Sequence, residues 1–310
     1  MKVKTKLFLL LLSYILVSSA CVYIVLPEDI DLSGGIGPDT GPGLWNAVVT
    51  GVTETEEGGL HIDLAIQNDM GDWSTMHAVE GEPAMLTTSD GKTIPCDVVL
   101  VGTGGHRLAP GFQMRGYIAE ENGELIIQPL YVECKGVTPS AGSKLAIDYV
   151  AFSGILDDYD PEANESEGTL ELNLDEVVAD LSYPVATPIE GLIQDVGGSI
   201  TGLSENVVTL LDAQRADTGF QFTWENFNPT KFPLKTHIGI PPVIGSDGIL
   251  YGLYETLDLA PIPLTPSNAR TEWTTEVAVP QDVTGLYILL SVESNKPRTY
   301  KNYVLDITDK

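Results

Sequence analysis

The sequence predicts an all-β protein, with two tandem β-sandwich domains that follow an N-terminal hydrophobic helix. Many short segments alternate apolar and polar residues, which is the pattern of half-buried strands. Turns separate these segments at short intervals and draw on 31 glycines and 20 prolines. No convincing long amphipathic helix pattern occurs between them. Short strands at this spacing indicate a sandwich or a barrel.

The predicted organisation has five parts in chain order. They are a signal peptide or membrane anchor at 1–26, a Gly/Pro/Asp stalk at 27–43, a first β-sandwich domain at 44–178, a linker at 179–194 and a second β-sandwich domain at 195–310. The stalk has little to bury, which favours a flexible spacer.

The N-terminus has the pattern of a targeting segment. Three lysines precede an apolar run at 7–17, and small residues at 18–20 come just before Cys21. Cleavage before Cys21 gives a secreted protein, and lipidation of Cys21 gives a lipoprotein, although Ser18 departs from the lipobox pattern. The apolar stretch from 7 to 26 is also long enough to cross a bilayer uncut. All three alternatives deliver residues 27–310 outside the cytoplasm.

The two other cysteines are candidates for a disulfide. Alternation places Cys96 in "TIPCDVVLV" and Cys134 in "LIIQPLYVEC" on the apolar faces of their strands. A pair that bridges a sandwich core would have this arrangement, and disulfides are typical of oxidising compartments. Two separate buried thiols remain the alternative.

The first domain contains several recognisable hairpins. The segment "AMLTTSDGKTIPCDVVLV" predicts two strands around a turn at 89–91, and "TLELNLD" is expected to pair with "KLAIDYVAFSGIL". The segment "DEVVADL" favours one short helix.

The second domain repeats the style of the first. The segment "ENVVTLLDAQRADTGFQFTWENFN" resembles "NAVVTGVTETEEGGLHIDLAIQN", with Gly59 aligned to Gly219 and Asn68 to Asn228. Both halves also carry Leu-x-Pro before a later strand. We therefore expect two related domains that arose by duplication.

The stretch "Leu-Ala-Pro-Gly-x-x-x-x-Gly-Tyr" at 108–117 carries a family resemblance. It resembles the extracellular immunoglobulin-like modules of prokaryotic envelope lipoproteins, which are mostly uncharacterised. The resemblance implies two immunoglobulin-like sandwiches outside the cell membrane and implies no catalytic residues. Ser267 stands in place of the glycine in the second copy.

The charge of the chain limits its partners. With 16 basic and 44 acidic residues the formal charge is −28, which opposes binding to nucleic acid and to anionic lipid headgroups. We therefore expect contact with the membrane through the N-terminus and no binding to nucleic acid.

Two loops are candidate sites. The acidic turn after residue 156 offers clustered oxygens for calcium from Asp157, Asp158, Asp160 and Glu162, although it does not fit the EF-hand template and a solvated turn is the alternative. The polar loop "NDMGDWSTMHAVEG" is the candidate contact surface, with Asp69, Asp72, Trp73 and His77, and Trp73 is expected to be exposed.

No set of nucleophile, base and orienting residue occurs in the sequence. The expected protein is therefore non-catalytic, without a cofactor unless the turn binds calcium, and is a binding or structural protein of the cell envelope. Its partner is an unknown protein or glycan. An accessory subunit of an envelope transporter or secretion complex is the alternative, and a hydrolase is a remote one.

Overall fold

The computed structural model describes residues 45–79, 81, 84–99, 101–153, 165–186, 192–194, 206–233, 237–238, 242–252, 264–293 and 300–309. These ranges contain twenty β-strands and no helix, so the predicted all-β class is confirmed. These ranges contain no apolar helix of the length that a bilayer crossing requires. The leader, the stalk, Cys21 and the calcium candidates Asp157, Asp158, Asp160 and Glu162 lie outside the described residues.

The first half of the chain holds eleven strands. They are β1 (Trp45–Glu54), β2 (Gly59–Asn68), β3 (Ser74–Ala78), β4 (Ala84–Thr87), β5 (Thr93–Val98), β6 (Gln113–Met114), β7 (Gly116–Glu121), β8 (Glu124–Pro129), β9 (Tyr131–Lys135), β10 (Lys144–Ser153) and β11 (Glu165–Asn173).

The second half holds nine. They are β12 (Leu192–Gln194), β13 (Asn206–Ala216), β14 (Gly219–Asn228), β15 (His237–Ile238), β16 (Val243–Gly245), β17 (Ile249–Tyr251), β18 (Ala269–Ala278), β19 (Gly285–Glu293) and β20 (Tyr300–Asp306).

A nine-stranded sheet in the order β1-β2-β9-β5-β4-β10-β11 wraps around the first core, with β3 on β10 and β6 on β2. The predicted hairpins β4–β5 and β10–β11 are both confirmed. Beyond β11, Val177 bridges Val49 in parallel, and the Val178 amide donates to the Val49 carbonyl at 2.8 Å. The short helix expected at 175–181 is therefore wrong, because the backbone of its two valines pairs with β1.

Two sheets sandwich the second core. The sheet β12-β13-β14-β18 supplies Phe220, Phe222 and Trp224, and the sheet β15-β19-β16-β17-β7-β8 supplies side chains such as Ile288 and Leu290. Trp224 is fully buried in this core.

The two halves follow one strand plan. The strands β1, β2, β3, β4, β5, β10 and β11 correspond in order to β13, β14, β15, β16, β17, β19 and β20. In the first half β10 pairs with β3, β4 and β11. In the second half the equivalent strand β19 pairs with the equivalent strands β15, β16 and β20. The opening hairpins even share an irregularity, between Val49 and Gly51 in one half and between Leu210 and Asp212 in the other. This agreement supports the duplication inferred from the sequence.

One hairpin breaks the repeat. In the second half β18 pairs with β14 along its whole length, whereas β2 pairs with β6 at one end and with β9 at the other. Between β6 and β9 the chain leaves as the hairpin β7–β8, and β7 pairs in parallel with β17. All described residues belong to one compact unit, Gly41–Lys310. A division into two domains at 179–194 stays a prediction, while this hairpin from the first half forms part of a second-half sheet.

The predicted disulfide is confirmed. Cys96 in β5 is bonded to Cys134 in β9, their Cα atoms are 4.3 Å apart, and each residue is 1% exposed. The bridge joins neighbouring strands rather than opposite sides of the core, since Asp97 pairs with Glu133 next to it. A disulfide indicates an oxidising compartment.

Candidate binding surface

The predicted contact loop lies between β2 and β3, at one end of the first core. Asp69 and Asp72 are exposed in this loop, and His77 is exposed on β3. The expectation that Trp73 is exposed was wrong, because its residue is only 8% accessible and packs into the first core. The role of these four residues in binding stays a prediction.

Asn68 holds this loop in place from below. Its side chain is fully buried, and its Nδ2 donates to the carbonyl oxygens of Asp72 at 2.9 Å and Leu108 at 2.6 Å. Its Oδ1 accepts from the Met70 amide at 2.9 Å. One side chain thus satisfies three backbone groups, of which the Leu108 carbonyl is buried, and fixes the loop against the segment that precedes β6.

Asn228 repeats this arrangement in the second half. Its Nδ2 donates to the carbonyl oxygens of Phe232 at 2.7 Å and Thr265 at 3.0 Å, and its Oδ1 accepts from the Thr230 amide at 2.9 Å. The partners two and four residues along the chain are at the same offsets as those of Asn68. We call each of these side chains with its loop an asparagine clamp.

The side chains presented by the two clamps differ in chemistry. The Asn68 clamp exposes the carboxylates of Asp69 and Asp72. The Asn228 clamp exposes Lys231 and two apolar residues, Phe232 at 60% and Leu264 at 58%. Equivalent hydrogen bonds therefore hold a loop with exposed acidic side chains in one half and a loop with exposed apolar and basic side chains in the other.

The sequence did not identify the clamp residues as functional. The alignment of Asn68 with Asn228 was visible, and so were the two Leu-x-Pro segments. Neither showed that the asparagine side chain contacts the backbone of the Leu-x-Pro segment. Asn68 and Leu108 are 40 residues apart in sequence, yet the Asn68 Nδ2 lies 2.6 Å from the Leu108 carbonyl oxygen.

The chain enters the first sheet beside the Asn68 clamp. Trp45 pairs with Asn68, its amide donates to the Tyr149 hydroxyl at 2.9 Å, and its indole Nε1 donates to Ser74 Oγ at 3.2 Å. Trp45 is buried, so these contacts fix the point at which the predicted stalk joins the fold.

The glycine-rich loop at 102–107 lies next to β7. Gly104 has a φ of 58°, and a Cβ there would overlap the ring of Tyr117 in β7, so the position requires glycine. His106 in this loop is 2% exposed, and burial lowers its pKa to about 4, although a hydrogen bond with the Ile118 backbone acts in the opposite direction. The imidazole is therefore neutral at pH 7 and acts as part of the packing.

Charged side chains elsewhere form local pairs. His61 lies between Asp63 Oδ1 at 3.1 Å and Glu133 Oε1 at 3.4 Å, and its ring stacks on Tyr131. Across the ranges that the structure describes, no group of three or more His, Cys, Asp or Glu side chains is arranged to hold a metal ion.

Comparison with known proteins finds similarity among solved structures. No family model and no curated protein matches the chain. Among solved structures, the E. coli chaperone DraB aligns over 86% of this chain and 99% of its own, with 13% identity and a TM-score of 0.22. A TM-score at this level does not establish a common fold.

Proposed function

We propose that this chain is a non-catalytic, membrane-anchored binding or structural protein of the cell envelope, with its bulk outside the cytoplasm. Two immunoglobulin-like β-sandwiches on a stalk would present the contact surface. The observation that carries the proposal is the pair of asparagine clamps. Their buried asparagine side chains make equivalent hydrogen bonds, but the side chains that the two loops expose differ in chemistry.

A binding role fits this observation because recognition residues often lie on loops that a rigid scaffold positions. The Asn68 clamp offers carboxylates, which suit a basic protein surface or the hydroxyl groups of a glycan. The Asn228 clamp offers Phe232 and Leu264, which suit an apolar patch on a protein. The two ends would therefore contact different partners or different parts of one partner.

The proposed location rests on two supports. The Cys96–Cys134 disulfide is typical of proteins outside the cytoplasm. The N-terminal sequence has the pattern of a leader or an anchor. The mass of the intact protein from its native membrane would distinguish the three alternatives for residues 1–26: full length, cleaved before Cys21 and acylated, or cleaved and bare.

Cross-linking in intact cells tests the binding role. We would compare the native chain with Asp69→Asn/Asp72→Asn and with Phe232→Ser/Leu264→Ser. Leu211→Ser is a matched control, because Leu211 is a 48% exposed residue of β13 that belongs to neither clamp. A partner lost in one clamp variant and kept in the control is the expected result. Equal capture by all variants, or turnover of esterase, peptidase or glycosidase substrates by the native chain, would overturn the proposal.

An accessory subunit of a membrane complex is a second candidate, and the position of Trp45 favours it. The stalk joins the fold at the Asn68 clamp, and residues 27–43 span at most about 60 Å when fully extended. The clamp would therefore stay within reach of other proteins in the same membrane. Cross-links from this loop to one stoichiometric membrane protein would support the accessory role, and cross-links to surface material from other cells would contradict it.

A further inference from the structure

The hairpin β7–β8 ends one sheet of the second half, and β8 is its outermost strand. β7 lies between β17 and β8, and β8 has no other partner strand within the described residues. Its outer edge therefore presents backbone donors and acceptors that the described part of the chain leaves unpaired. Such edges are the sites at which proteins add a further strand.

The register of the hairpin shows which residues face outward. Asn122 and Gly123 form a two-residue turn with φ values of 53° and 83°, and Glu121 pairs with Glu124 across it. The Leu130 amide donates to the Arg115 carbonyl at 2.8 Å, and hydrogen-bonded pairs recur at every second position. Residues 124, 126 and 128 therefore bond to β7. Leu125 and Ile127 direct their N–H and C=O groups to the free edge.

The side chains of the same two residues are exposed and apolar. Leu125 is 56% accessible and Ile127 is 47% accessible. Ile127 pairs with Ile118, which packs against the second core, so the apolar surface continues from this core to the free edge. Exposed edges usually carry lysine, proline or a bulge. In β8 the proline stands only at the end of the strand, at Pro129.

We propose that this edge pairs with the same edge of a second copy of the chain, antiparallel and about a two-fold axis at Ile126. Leu125 of each copy then lies opposite Ile127 of the other. Both residues direct their backbone groups outward, so each of these two contacts is a hydrogen-bonded pair. Glu124 of each copy lies opposite Gln128 of the other, which places no like charges together.

Neighbouring registers are less favourable. An axis at Ile127 places Leu125 opposite Pro129, which has no amide hydrogen to donate. An axis at Leu125 places Ile127 opposite Gly123 in the turn and leaves its side chain without an apolar neighbour. The strand is therefore complementary to itself in one register, which is what a symmetric interface between identical chains requires.

The charge of the chain predicts how this association responds to salt. Each copy carries −28, so two copies repel at low ionic strength. Added salt screens this repulsion and strengthens the apolar contact. We expect the dissociation constant of the dimer to fall as the salt concentration rises.

Sedimentation equilibrium of the purified full chain in detergent tests the proposal. Ile127→Lys should weaken the dimer by at least about tenfold, because it replaces the apolar side chain with a charged one in each of the two Leu125–Ile127 contacts. Leu211→Lys, a similarly exposed leucine on β13, should leave it unchanged. The thermal unfolding midpoint of each variant would show that the monomer is intact.

A charge exchange tests the register without removing an apolar side chain. Gln128→Glu alone places two pairs of like charges across the axis and should weaken the dimer at low salt. Addition of Glu124→Lys converts both pairs to opposite charges and should restore it. A monomer at all concentrations and salts would overturn the proposal. So would a dimer indifferent to Ile127→Lys, or a different protein that copurifies on this edge.

Discussion

Asn68 and Asn228 show how one residue type organises a loop. Each amide is fully buried and exchanges hydrogen bonds with the backbone at positions two and four residues later and with a distant Leu-x-Pro segment. Asparagine can do this because it carries two donors and an acceptor on a short side chain. The loops are therefore held by the interior, and their exposed side chains are free to differ.

Removal of a clamp side chain should destabilise the fold. Asn68→Ala leaves the Asp72 and Leu108 carbonyls and the Met70 amide without this partner, and we expect a loss of about 2–4 kcal/mol in the free energy of unfolding. Asn46→Ala is the control, since Asn46 is exposed and its Oδ1 accepts from the amide of its chain neighbour Ala47. Urea denaturation measures both, and similar losses in the two variants would contradict a clamp role.

His106 should make stability depend on pH. Burial holds its pKa at about 4 in the folded chain, against 6.5 ordinarily, so the unfolded chain binds the proton first. The contribution of neutral His106 is therefore fully present above pH 6.5 and is lost as pH falls towards 4. The loss is at most about 3 kcal/mol.

Replacement of His106 isolates this contribution. His106→Gln should make the decline in unfolding free energy between pH 7 and pH 4.5 shallower than in the native chain, as measured by urea denaturation. Parallel pH profiles for the native chain and His106→Gln would show that the carboxylates alone cause the decline.

At the scale of the element, two glycines allow neighbouring strands to approach. A Cβ at Gly59 would overlap the Cys134 carbonyl oxygen of β9, and a Cβ at Gly219 would overlap the Val277 carbonyl oxygen of β18. These glycines begin β2 and β14, which are equivalent strands in the repeat. The two glycines therefore align in the sequence because both positions have the same steric requirement, which is the absence of a Cβ next to the partner strand.

Substitution of these glycines should separate the strands. We expect Gly59→Ala and Gly219→Ala each to lower the free energy of unfolding by about 1–3 kcal/mol, because the backbone of the partner strand must shift. Gly71→Ala is the control, since within the described part of the chain no atom beyond the two chain neighbours lies within 4 Å of a Cβ at that position. Thermal denaturation compares the three, and an unchanged midpoint for Gly219→Ala would be inconsistent with this packing.

The disulfide stabilises the junction between β5 and β9. It spans 38 positions of sequence, for which the chain-entropy model gives about 4 kcal/mol. Cys96→Ala/Cys134→Ala should lower the urea midpoint correspondingly, and reduction of the native chain should have a similar effect. A double variant as stable as the native chain would mean that β5–β9 pairing alone fixes this junction.

At the scale of the whole molecule, the two halves share structure. The first core includes Ile244, Leu250, Leu289 and Val304 from the second half, and β7–β8 from the first half extends a second-half sheet. Each half therefore completes the burial of the other.

The halves should accordingly unfold together. Trp45→Phe/Trp73→Phe leaves tryptophans only in the second half, and Trp224→Phe/Trp273→Phe leaves them only in the first. Because the cores are shared, Leu250→Ala introduced into either background should lower the fluorescence midpoint of both halves by a similar amount. Two separate midpoints, with one insensitive to Leu250→Ala, would instead support two independent folding units.

The sequence by itself determined the strands, the apolar faces, the main turns and the repeat, and it identified Cys96 and Cys134 as candidates for a disulfide. These features depend on local alternation, turn residues and the similarity of two segments, all of which can be identified in the amino-acid sequence. The candidate carboxylates Asp69 and Asp72 also lie on the surface as expected.

The tertiary structure decided which strands are neighbours. Alternating strands are largely interchangeable as partners, so the pattern could not show that β7 pairs with β17 or that Cys96 and Cys134 lie side by side. The burial of Trp73 was missed for the same reason, since it depends on the distant segment at Leu108, which pairs with the adjacent Ser74. Pairing between strands far apart in sequence is set by how the whole core closes, and local pattern does not record it.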